Sequence, residues 1–266
     1  MKHSFNPALV TELLQGRRLR GPIIYRDLVG STNDEVMQLA EAGAAEGTVV
    51  VAERQTAGRG RQGRVWHAPA GQTLMFSLLL RPQLPVQKWS LLSTMASVAV
   101  ATVLRDVAGN GIGTKWPNDI VHDGRKLCGI LVEARAPHFA VVGIGLNVVG
   151  DTSDWPGDLQ KIATTLEMAT GVVAHREELL ARVLNSLDEC YDLMLTSDPA
   201  LTERQRQLET TLGKELHVKI GQRQVRGRAV DVGPLGELIL DTPDGPLTVS
   251  SGEVQQVRGA NGELPR

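Results

Sequence analysis

A glycine- and arginine-rich segment is the first candidate site, because it is suited to binding an anion. Four arginines and no acidic residue lie between Arg54 and Arg64, with glycines interleaved among them. Glycine lets the backbone approach a ligand closely, and the planar guanidinium of arginine donates in pairs to phosphate oxygens. The segment has no Gly-Lys-Ser/Thr ending, which excludes a Walker A loop. Trp66 follows and is suited to stacking on a purine or closing a lid; the alternative is a solvated basic loop or a nucleic-acid patch.

A second candidate site combines a Pro-Asn-Asp turn with a lysine at the start of a strand. Residues 115–119 read KWPND, and residues 125–129 read RKLCG. A lysine at a strand edge reaches into a cleft, while a glycine such as Gly129 lets a ligand lie on the backbone. Lys126 is therefore suited to stabilising negative charge that develops between a carboxylate and a phosphate. The alternative is that Lys115 and Lys126 are ordinary solvent-facing charges and that Asn118 and Asp119 only form the turn.

Two further segments place polar side chains at a helix start and in a glycine-containing strand. Ser31, Thr32 and Asn33 precede a helical pattern; Ser and Thr are preferred N-caps, and Asn33 would then be solvated. Residues 143–148 read GIGLNV, and glycines within an apolar strand mark either a ligand lying close to the backbone or a bulge. Asn147 offers both a donor and an acceptor, as the edge of adenine requires.

The composition is that of a globular protein in a reducing compartment. The 266 residues are enough for one large domain with a smaller one attached. A formal net charge of -2 argues against a globally basic nucleic-acid binder, so an anion site has to be local. Cys128 and Cys190 lie far apart, as buried thiols do. The N-terminus does not resemble a signal peptide, and the apolar stretch 91–104 is too short to span a membrane, so a cytoplasmic location is expected.

The elements that position these segments follow from hydrophobic periodicity. Thr32 and Glu35 have capping-box spacing before a helix, the glycine- and arginine-rich segment lies in a long loop over 54–71, and Asp123-Gly124 predicts a hairpin. Helices are predicted over 7–14, 36–42, 88–107 and within 159–212, and strands over 22–28, 48–53, 73–80, 112–115, 119–121, 126–134 and 139–148. Short strands over 215–220, 225–232, 237–241 and 247–250 predict a small β-barrel. The expected fold class is α+β, with a mixed sheet, covering helices and this C-terminal module.

Together and in this order, the segments resemble the biotin protein ligases. The resembling motifs are GRGRQGRVW at 58–66, KWPND at 115–119, RKLCGILVE at 125–133, GIGLNV at 143–148 and SGEV at 251–254. The resemblance covers roughly residues 22–257. It implies a catalytic domain of the biotin/lipoate ligase type, here residues 1–212, and an SH3-like β-barrel, here residues 213–266.

The resemblance implies a two-step reaction. The biotin carboxylate attacks the α-phosphate of ATP, giving biotinyl-5′-AMP and diphosphate, and a lysine of a biotin carboxyl carrier protein then displaces AMP. Mg²⁺ would accompany the ATP phosphates. Lys126 would bridge the carboxylate and the α-phosphate, with Arg59 and Arg61 assisting. Asp119 would order the site or handle the proton of the incoming lysine.

The resemblance also implies two sets of binding residues. Biotin would be bound by Ser31, Thr32, Asn33, Gln55, Gly58, Arg59, Gly60, Arg61, Lys126 and Gly129. ATP would be bound by Arg61, Arg64, Trp66, Lys115, Asn118, Lys126 and Asn147.

The chain departs from the family pattern in three places. Gln62 stands where some members have Arg, so one phosphate contact is in doubt, and Cys128 stands where Ala is usual. Regulatory members carry a winged helix-turn-helix before the catalytic domain. Only about 22 residues precede the first predicted strand here, which is too few for such a module. We therefore expect an enzyme without operator binding.

Several alternatives stay open at this point. A lipoate protein ligase shares the fold and the acyl-adenylate chemistry, a non-catalytic ligand sensor would lack turnover, and an RNA-binding protein would use the arginine loop. The net charge and the few aromatic residues, two Tyr and three Phe, disfavour the last. Family members dimerise by pairing sheet edges, in some cases only with the adenylate bound, so the resemblance allows a homodimer without fixing it. The role of Glu253 is equally open between ATP binding and carrier docking.

Overall fold

A computed structural model describes residues 5–153 and 155–256. Its main sheet has seven strands in the order β1-β2-β3-β7-β6-β5-β4. The strands are β1 (Ile23–Arg26), β2 (Val49–Ala52), β3 (Thr73–Leu80), β4 (Ile112–Lys115), β5 (Asp119–His122), β6 (Arg125–Arg135) and β7 (Phe139–Asn147). Only β1 and β2 pair in parallel, so the sheet is mixed, as expected. Asp123 and Gly124 both have positive φ, of 46° and 79°, which confirms the predicted hairpin between β5 and β6.

The helices lie on both faces of the sheet. They are α1 (Pro7–Leu13), α2 (Thr32–Glu41), α3 (Leu91–Ala108), α4 (Gly157–Ile162), α5 (Leu166–Thr170), α6 (Arg176–Leu195) and α7 (Ala200–Leu208). Along β7, alternate residues from Ala140 to Val148 join the large core with α3 and α6. Phe139 and Val141 point to the other face and pack under α2. That second face is only partly covered by α2, and the site lies on the remainder.

The helix α3 is longer than the apolar stretch seen in the sequence. With the preceding 3₁₀ turn it spans Val86–Ala108, and by length and composition alone it is long enough to cross a membrane. However, 67% of the most apolar stretch of this segment is buried inside the fold. It is therefore explained as a core helix, which packs against α6 and the sheet.

The start of α2 differs from the capping box that the sequence suggested. Ser31 is the N-cap and Thr32 is already helical, and neither the Ser31 side chain nor Glu35 caps the helix. The Thr32 backbone N–H instead donates to the Gln55 side chain at 2.7 Å, and its hydroxyl accepts from Ser77 at 2.7 Å. The alternative in which Asn33 is a solvated first-turn residue is contradicted, since Asn33 is only 3% exposed. These side chains are held by the sheet beneath them, a tertiary contact that local spacing does not reveal.

The C-terminal module is a five-stranded antiparallel sheet in the order β11-β10-β9-β8-β12. Its strands are β8 (Glu215–Ile220), β9 (Arg223–Val232), β10 (Leu238–Thr242), β11 (Gly245–Val249) and β12 (Glu253–Gln256). β12 was not predicted as a strand, because SGEV is too short to show alternation; it forms by pairing with β8. Among the described strands β11 and β12 are the edges, so the sheet curves around a core without the full closure of the predicted barrel.

Candidate active site

One row of paired residues crosses the uncovered face of the main sheet. The register pairs Met75 with Gly145, Gly145 with Gly129, Gly129 with Asp119, and Asp119 with Lys115. Residues paired directly across antiparallel strands project to the same face. The row from Met75 to Asp119 is about 14 Å long, because neighbouring strands are about 4.8 Å apart. Its two central glycines leave a smooth floor on which a flat ligand can lie.

Trp66 from the loop lies directly over this glycine floor. A Cβ atom on Gly145 would be 2.6 Å from Trp66 Cε2, and one on Gly129 would be 2.9 Å from Trp66 Cζ3. Neither glycine has a positive φ. Both are glycine because the indole leaves no room for a side chain, rather than because of backbone strain. Trp66 is thus brought onto the strands that carry GIGLNV and RKLCG, and its role near the ligand stays a prediction.

Polar groups gather at the β3 end of the row. Ser77, buried on β3, contacts the Thr32 hydroxyl at 2.7 Å and Asn33 Oδ1 at 2.6 Å. Thr32 bonds to Gln55 Oε1, and Gln55 Nε2 contacts Met75 Sδ at 3.1 Å. The N-terminus of α2 and the start of the loop are therefore held together by one hydrogen-bonded network. Such a network provides fixed donors and acceptors for a polar ring at this end of the floor.

An ion-pair cluster anchors the loop beside this network. Both terminal nitrogens of Arg59 donate to Asp34, at 2.8 and 2.6 Å, and one also contacts Glu133 at 3.0 Å. Glu133 in turn accepts from Asn33 Nδ2 at 2.6 Å. The hydrogen bond with Arg59 lowers the pKa of Asp34, and the same bond raises the pKa of Arg59. The Arg59 charge is thus already paired with two carboxylates beside the polar end of the row, so its position suits loop anchoring. The contact with the biotin carboxylate that the resemblance implies stays a prediction.

Cations gather at the opposite end of the row. Lys126 Nζ lies 2.7 Å from Asp119 Oδ1 and 5.5 Å from the centre of the Trp66 ring. Arg61 is half-buried and donates to Asn118 Oδ1 at 3.3 Å. Burial lowers the pKa of Arg61, against the opposing effect of Asp119. Two positive groups therefore converge where the floor meets the KWPND turn, on one side of the indole.

Three buried polar atoms near the floor have no hydrogen-bond partner among the described residues. These atoms are Asn147 Oδ1, Thr73 Oγ1 and Trp66 Nε1. Asn147 and Thr73 are paired across β7 and β3, in the row next to the glycine floor. Asn147 Nδ2 is held by the Thr164 carbonyl at 3.1 Å, which leaves its oxygen to accept. Buried polar atoms without partners are costly, so these atoms mark a place where a polar ligand edge fits.

A cavity of about 310 Å³ with aromatic side chains in its walls lies between the loop and the segment before α4. It is lined by Gln55, Trp66 and His67 from the loop and by Trp155 and Pro156 from the segment before α4. Trp155 is 5% exposed, and its Nε1 also has no partner within the described part of the chain. A planar heteroaromatic ring suits a cavity with indole walls.

The remaining sequence-predicted site residues have more varied positions. Ser31 is buried at the start of α2, Gly58 is buried against Gln55, and Gly60 lies in the loop near Arg64. Lys115 is partly exposed at the end of β4. Arg64 forms an ion pair with Glu253 on β12, so the loop reaches the C-terminal module. Gln62 has a φ of 58° in a single 3₁₀ turn and is exposed.

Sequence reasoning missed four residues that the fold brings into this site. They are Asp34, Ser77, Glu133 and Trp155. Alternation along β3 places Ser77 on the same face as Met75, and alternation along β6 places Glu133 on the same face as Gly129. That period is visible in the sequence, whereas the face on which the loop folds is not.

This fold and site define the class of protein. Residues 25–147 match the Biotin/lipoate A/B protein ligase family, and residues 211–255 match the biotin protein ligase C terminal domain. A solved structure titled biotin protein ligase from Aquifex aeolicus in complex with biotin and ATP is similar, with a TM-score of 0.77 and 29% identity. The match covers 89% of this chain and 99% of that one.

The sequence relatives of this chain are named as biotin ligases. A biotin–[acetyl-CoA-carboxylase] ligase of Mycobacterium tuberculosis is 37% identical over 236 residues, which cover 86% of each chain. A bifunctional ligase/repressor BirA of Bacillus spizizenii is 34% identical, over 88% of this chain and 73% of the relative. This chain belongs to the biotin protein ligase family.

Proposed function

We propose that this chain activates biotin with ATP and transfers it to a lysine of a biotin carboxyl carrier protein. The observation that carries the proposal is the glycine-floored row, which has a polar network at one end and two cations at the other. A ligand with a polar ring, an apolar body and an acidic tail matches that order of groups. The relatives described above carry biotin ligase names, which favours biotin over the lipoate alternative.

Biotin is proposed to lie along the floor with its ureido ring at the α2 end. The Trp66 indole rests on the two glycines in this structure, so it would move aside to admit the ligand and then cover it. Thr32 and Gln55 would hydrogen-bond the ring, with Ser31, Gly58 and Gly60 beside it. Asn33 is engaged by Ser77 and Glu133, so its contribution would include orienting its neighbours. Gly129 would support the apolar body of the ligand. This orientation places the carboxylate at the cation end, within reach of Lys126 and Arg61.

In the first step a biotin carboxylate oxygen forms a bond to the α-phosphorus of ATP, and the bond to diphosphate breaks. Lys126 would lie between the two anions and stabilise the charge on the reacting oxygens, and Arg61 would add a second fixed charge. Arg59 is proposed to hold the loop closed through its ion pair with Asp34. The resemblance adds a contact of Arg59 with the biotin carboxylate. Trp66 covers the floor and would exclude water from the adenylate, which hydrolyses readily.

The adenine ring is proposed to occupy the aromatic cavity near Trp155. Asn147 Oδ1 would accept from the adenine amino group, because that oxygen is buried and lacks a partner in the described structure. Lys115, Asn118 and Arg64 would support the phosphates. The described residues contain no cluster of three or more metal-ligating side chains. Mg²⁺ would therefore enter on the ATP phosphates, with Asp119 as the nearby carboxylate, and neutralise phosphate charge.

In the second step the carrier lysine amine attacks the biotinyl carbonyl. The carbon–oxygen bond to AMP breaks, an amide forms, and the amine loses a proton. Asp119 is the carboxylate at this end of the floor and is proposed to order the site or receive that proton.

The assembly and surroundings of the protein form part of the proposal. We expect it to lack operator binding, which is supported by its net charge of -2, and to act in the cytoplasm.

A homodimer would pair sheet edges. β4 already pairs with the segment after α7 through Thr114, which leaves the β1 edge as the proposed contact. Light scattering with and without biotin and ATP tests this.

The decisive experiment incubates the protein with biotin, ATP, Mg²⁺ and a biotin carboxyl carrier domain, followed by mass measurement. We expect one biotinyl group on the carrier and AMP as a product. A parallel reaction with lipoate is expected to leave the carrier unmodified. Modification by lipoate alone, or turnover of neither acid, would contradict the proposal.

A further inference from the structure

Trp116, within the KWPND segment, packs in the core of the C-terminal module. It lies between β4 and β5 of the main sheet, yet it is 4% exposed and belongs to the cluster formed by β8 to β12. Its indole Nε1 donates to the Gly236 carbonyl at 2.9 Å, before β10. The turn that carries Asn118 and Asp119 is therefore fastened to the second module by one large side chain.

Glu209 fastens the backbone of the same turn. This carboxylate is 8% exposed and lies between α7 and β8. It accepts from the Trp116 backbone N–H at 3.2 Å, the Thr114 hydroxyl at 3.0 Å, the Thr211 N–H at 3.0 Å and the Thr211 hydroxyl at 2.6 Å. The four bonds join β4, the KWPND turn and the segment that leads from α7 into the C-terminal module.

Burial of the Glu209 carboxyl group is costly for the fold. Burial raises the pKa of Glu209 in spite of its four hydrogen bonds. A buried carboxyl group that fixes four donors at a cost in stability favours a defined arrangement of the segments it joins.

The turn in question holds both cations of the site. Asn118 accepts from Arg61, and its own amide donates to the Ile130 carbonyl at 2.6 Å. Asp119 pairs with Lys126 at 2.7 Å. A shift of this turn would therefore move Arg61 and Lys126 together, while the polar network around Thr32 and Gln55 would stay in place.

We infer that Glu209 and Trp116 are positioning residues through which the C-terminal module sets the geometry of Lys126 and Arg61. Neither residue touches the ligands in this assignment; both act through the KWPND turn. The inference rests on the proposed function of the site, and it gives the C-terminal module a role in adenylate formation that requires no contact with ATP.

The test compares Glu209→Leu, which removes the acceptors, with Glu209→Gln, which keeps an acceptor for the Trp116 and Thr211 amides. The matched control is Asp188→Leu, because Asp188 is also buried and accepts three backbone N–H groups, but it does so between α6 and residues 17–19. Biotin affinity, kcat for adenylate formation and hydrogen exchange of the 113–121 peptide are measured for each full-length variant.

We expect Glu209→Leu to lower kcat roughly 100-fold, the effect of a displacement of about 1 Å at a reacting site. Biotin affinity should fall less than kcat, because the ureido ring keeps its contacts at the α2 end. Exchange in the 113–121 peptide should rise, and Glu209→Gln should restore both kcat and protection. Asp188→Leu should change neither property. If Glu209→Leu fails to fold, the same measurements on Trp116→Phe test the inference. This variant keeps an aromatic ring but loses the hydrogen bond to Gly236.

A folded Glu209→Leu protein with normal kcat, or one with a lowered kcat and unchanged exchange in the 113–121 peptide, would overturn the inference. Failure of the proposed function is recognised separately, because the unmodified protein would then form no biotinyl-5′-AMP. In that case the exchange of the 113–121 peptide still reports whether Glu209 holds the turn.

Discussion

At the residue scale, Lys126 is the group on which the proposed chemistry most depends. It lies at the cation end of the glycine floor and is paired with Asp119. We expect Lys126→Met to lower the rate of adenylate formation by about 10²- to 10³-fold, as loss of a fixed donor at a reacting oxygen does. Diphosphate release measures this rate.

Lys88→Met is the matched control for that prediction. Lys88 bonds to Ser197 in an exposed position away from the floor, and its loss should leave diphosphate release unchanged. Near-normal release by a folded Lys126→Met protein would rule out the assigned role.

Gly145 tests the floor itself. A Cβ atom there would be 2.6 Å from Trp66 Cε2, so a biotin that takes the place of the indole would meet the same atom, and overpacking of this kind costs about 1–3 kcal/mol. We expect Gly145→Ala to weaken biotin binding about tenfold or more, measured by calorimetry. In Gly157→Ala the added Cβ meets no atom within 4 Å, so that variant should bind normally. Equal affinities of the two variants would mean that the ligand does not lie on this floor.

At the scale of elements, the loop over 54–71 is held at two points. Arg59 anchors it to α2 and β6, and Arg64 anchors it to β12 through Glu253. We expect trypsin to cut after Arg64, whose side chain is 65% exposed, and expect biotin with ATP to suppress the cut, because a loop that closes over a ligand becomes ordered.

Glu253→Gln removes the charge at the second anchor, so cleavage without ligand should become faster. Mass analysis of the fragments gives the cleavage site and its rate. Equal sensitivity with and without the two ligands would contradict loop closure.

At the scale of the whole molecule, Glu209 makes the stability of the fold depend on pH. Burial raises the pKa of Glu209 in the folded state above its unfolded value of about 4.3. The free energy of unfolding therefore falls as the pH rises from the unfolded pKa to the folded pKa. Below the unfolded pKa the carboxyl group is protonated in both states, and this loss of stability disappears. We expect Glu209→Gln to have a higher Tm than the unmodified protein at pH 8. This difference should shrink towards pH 4.5 and is measured by calorimetry across that range. A difference that grows as the pH falls would show that Glu209 is stabilising when ionised.

The division into residues 1–212 and 213–266 stays a prediction. Two sheets with separate hydrophobic clusters agree with two units, but Trp116 crosses from the first into the second. The last ten residues of the predicted second domain, 257–266, lie outside the described residues.

Sequence by itself determined the elements and the chemical types of the site. The periodicity of the apolar residues placed β3 with its observed bounds and located α3, and Asp123-Gly124 set the β5–β6 hairpin. Those features depend on contacts between near neighbours in the chain. The Gly/Arg loop, the KWPND and RKLCG segments and Asn147 could also be named in advance, because their residue types and order together are specific to one family.

Tertiary structure alone decided how the predicted groups are paired. Thr32 is helical rather than a cap, because Ser77 and Gln55, distant in the chain, bind it. Arg59 lies between Asp34 and Glu133, and Trp116 enters the core of another module. Each of these contacts joins residues more than 20 positions apart, and hydrogen bonds and packing at that separation depend on which faces of the sheets meet, which no local pattern specifies.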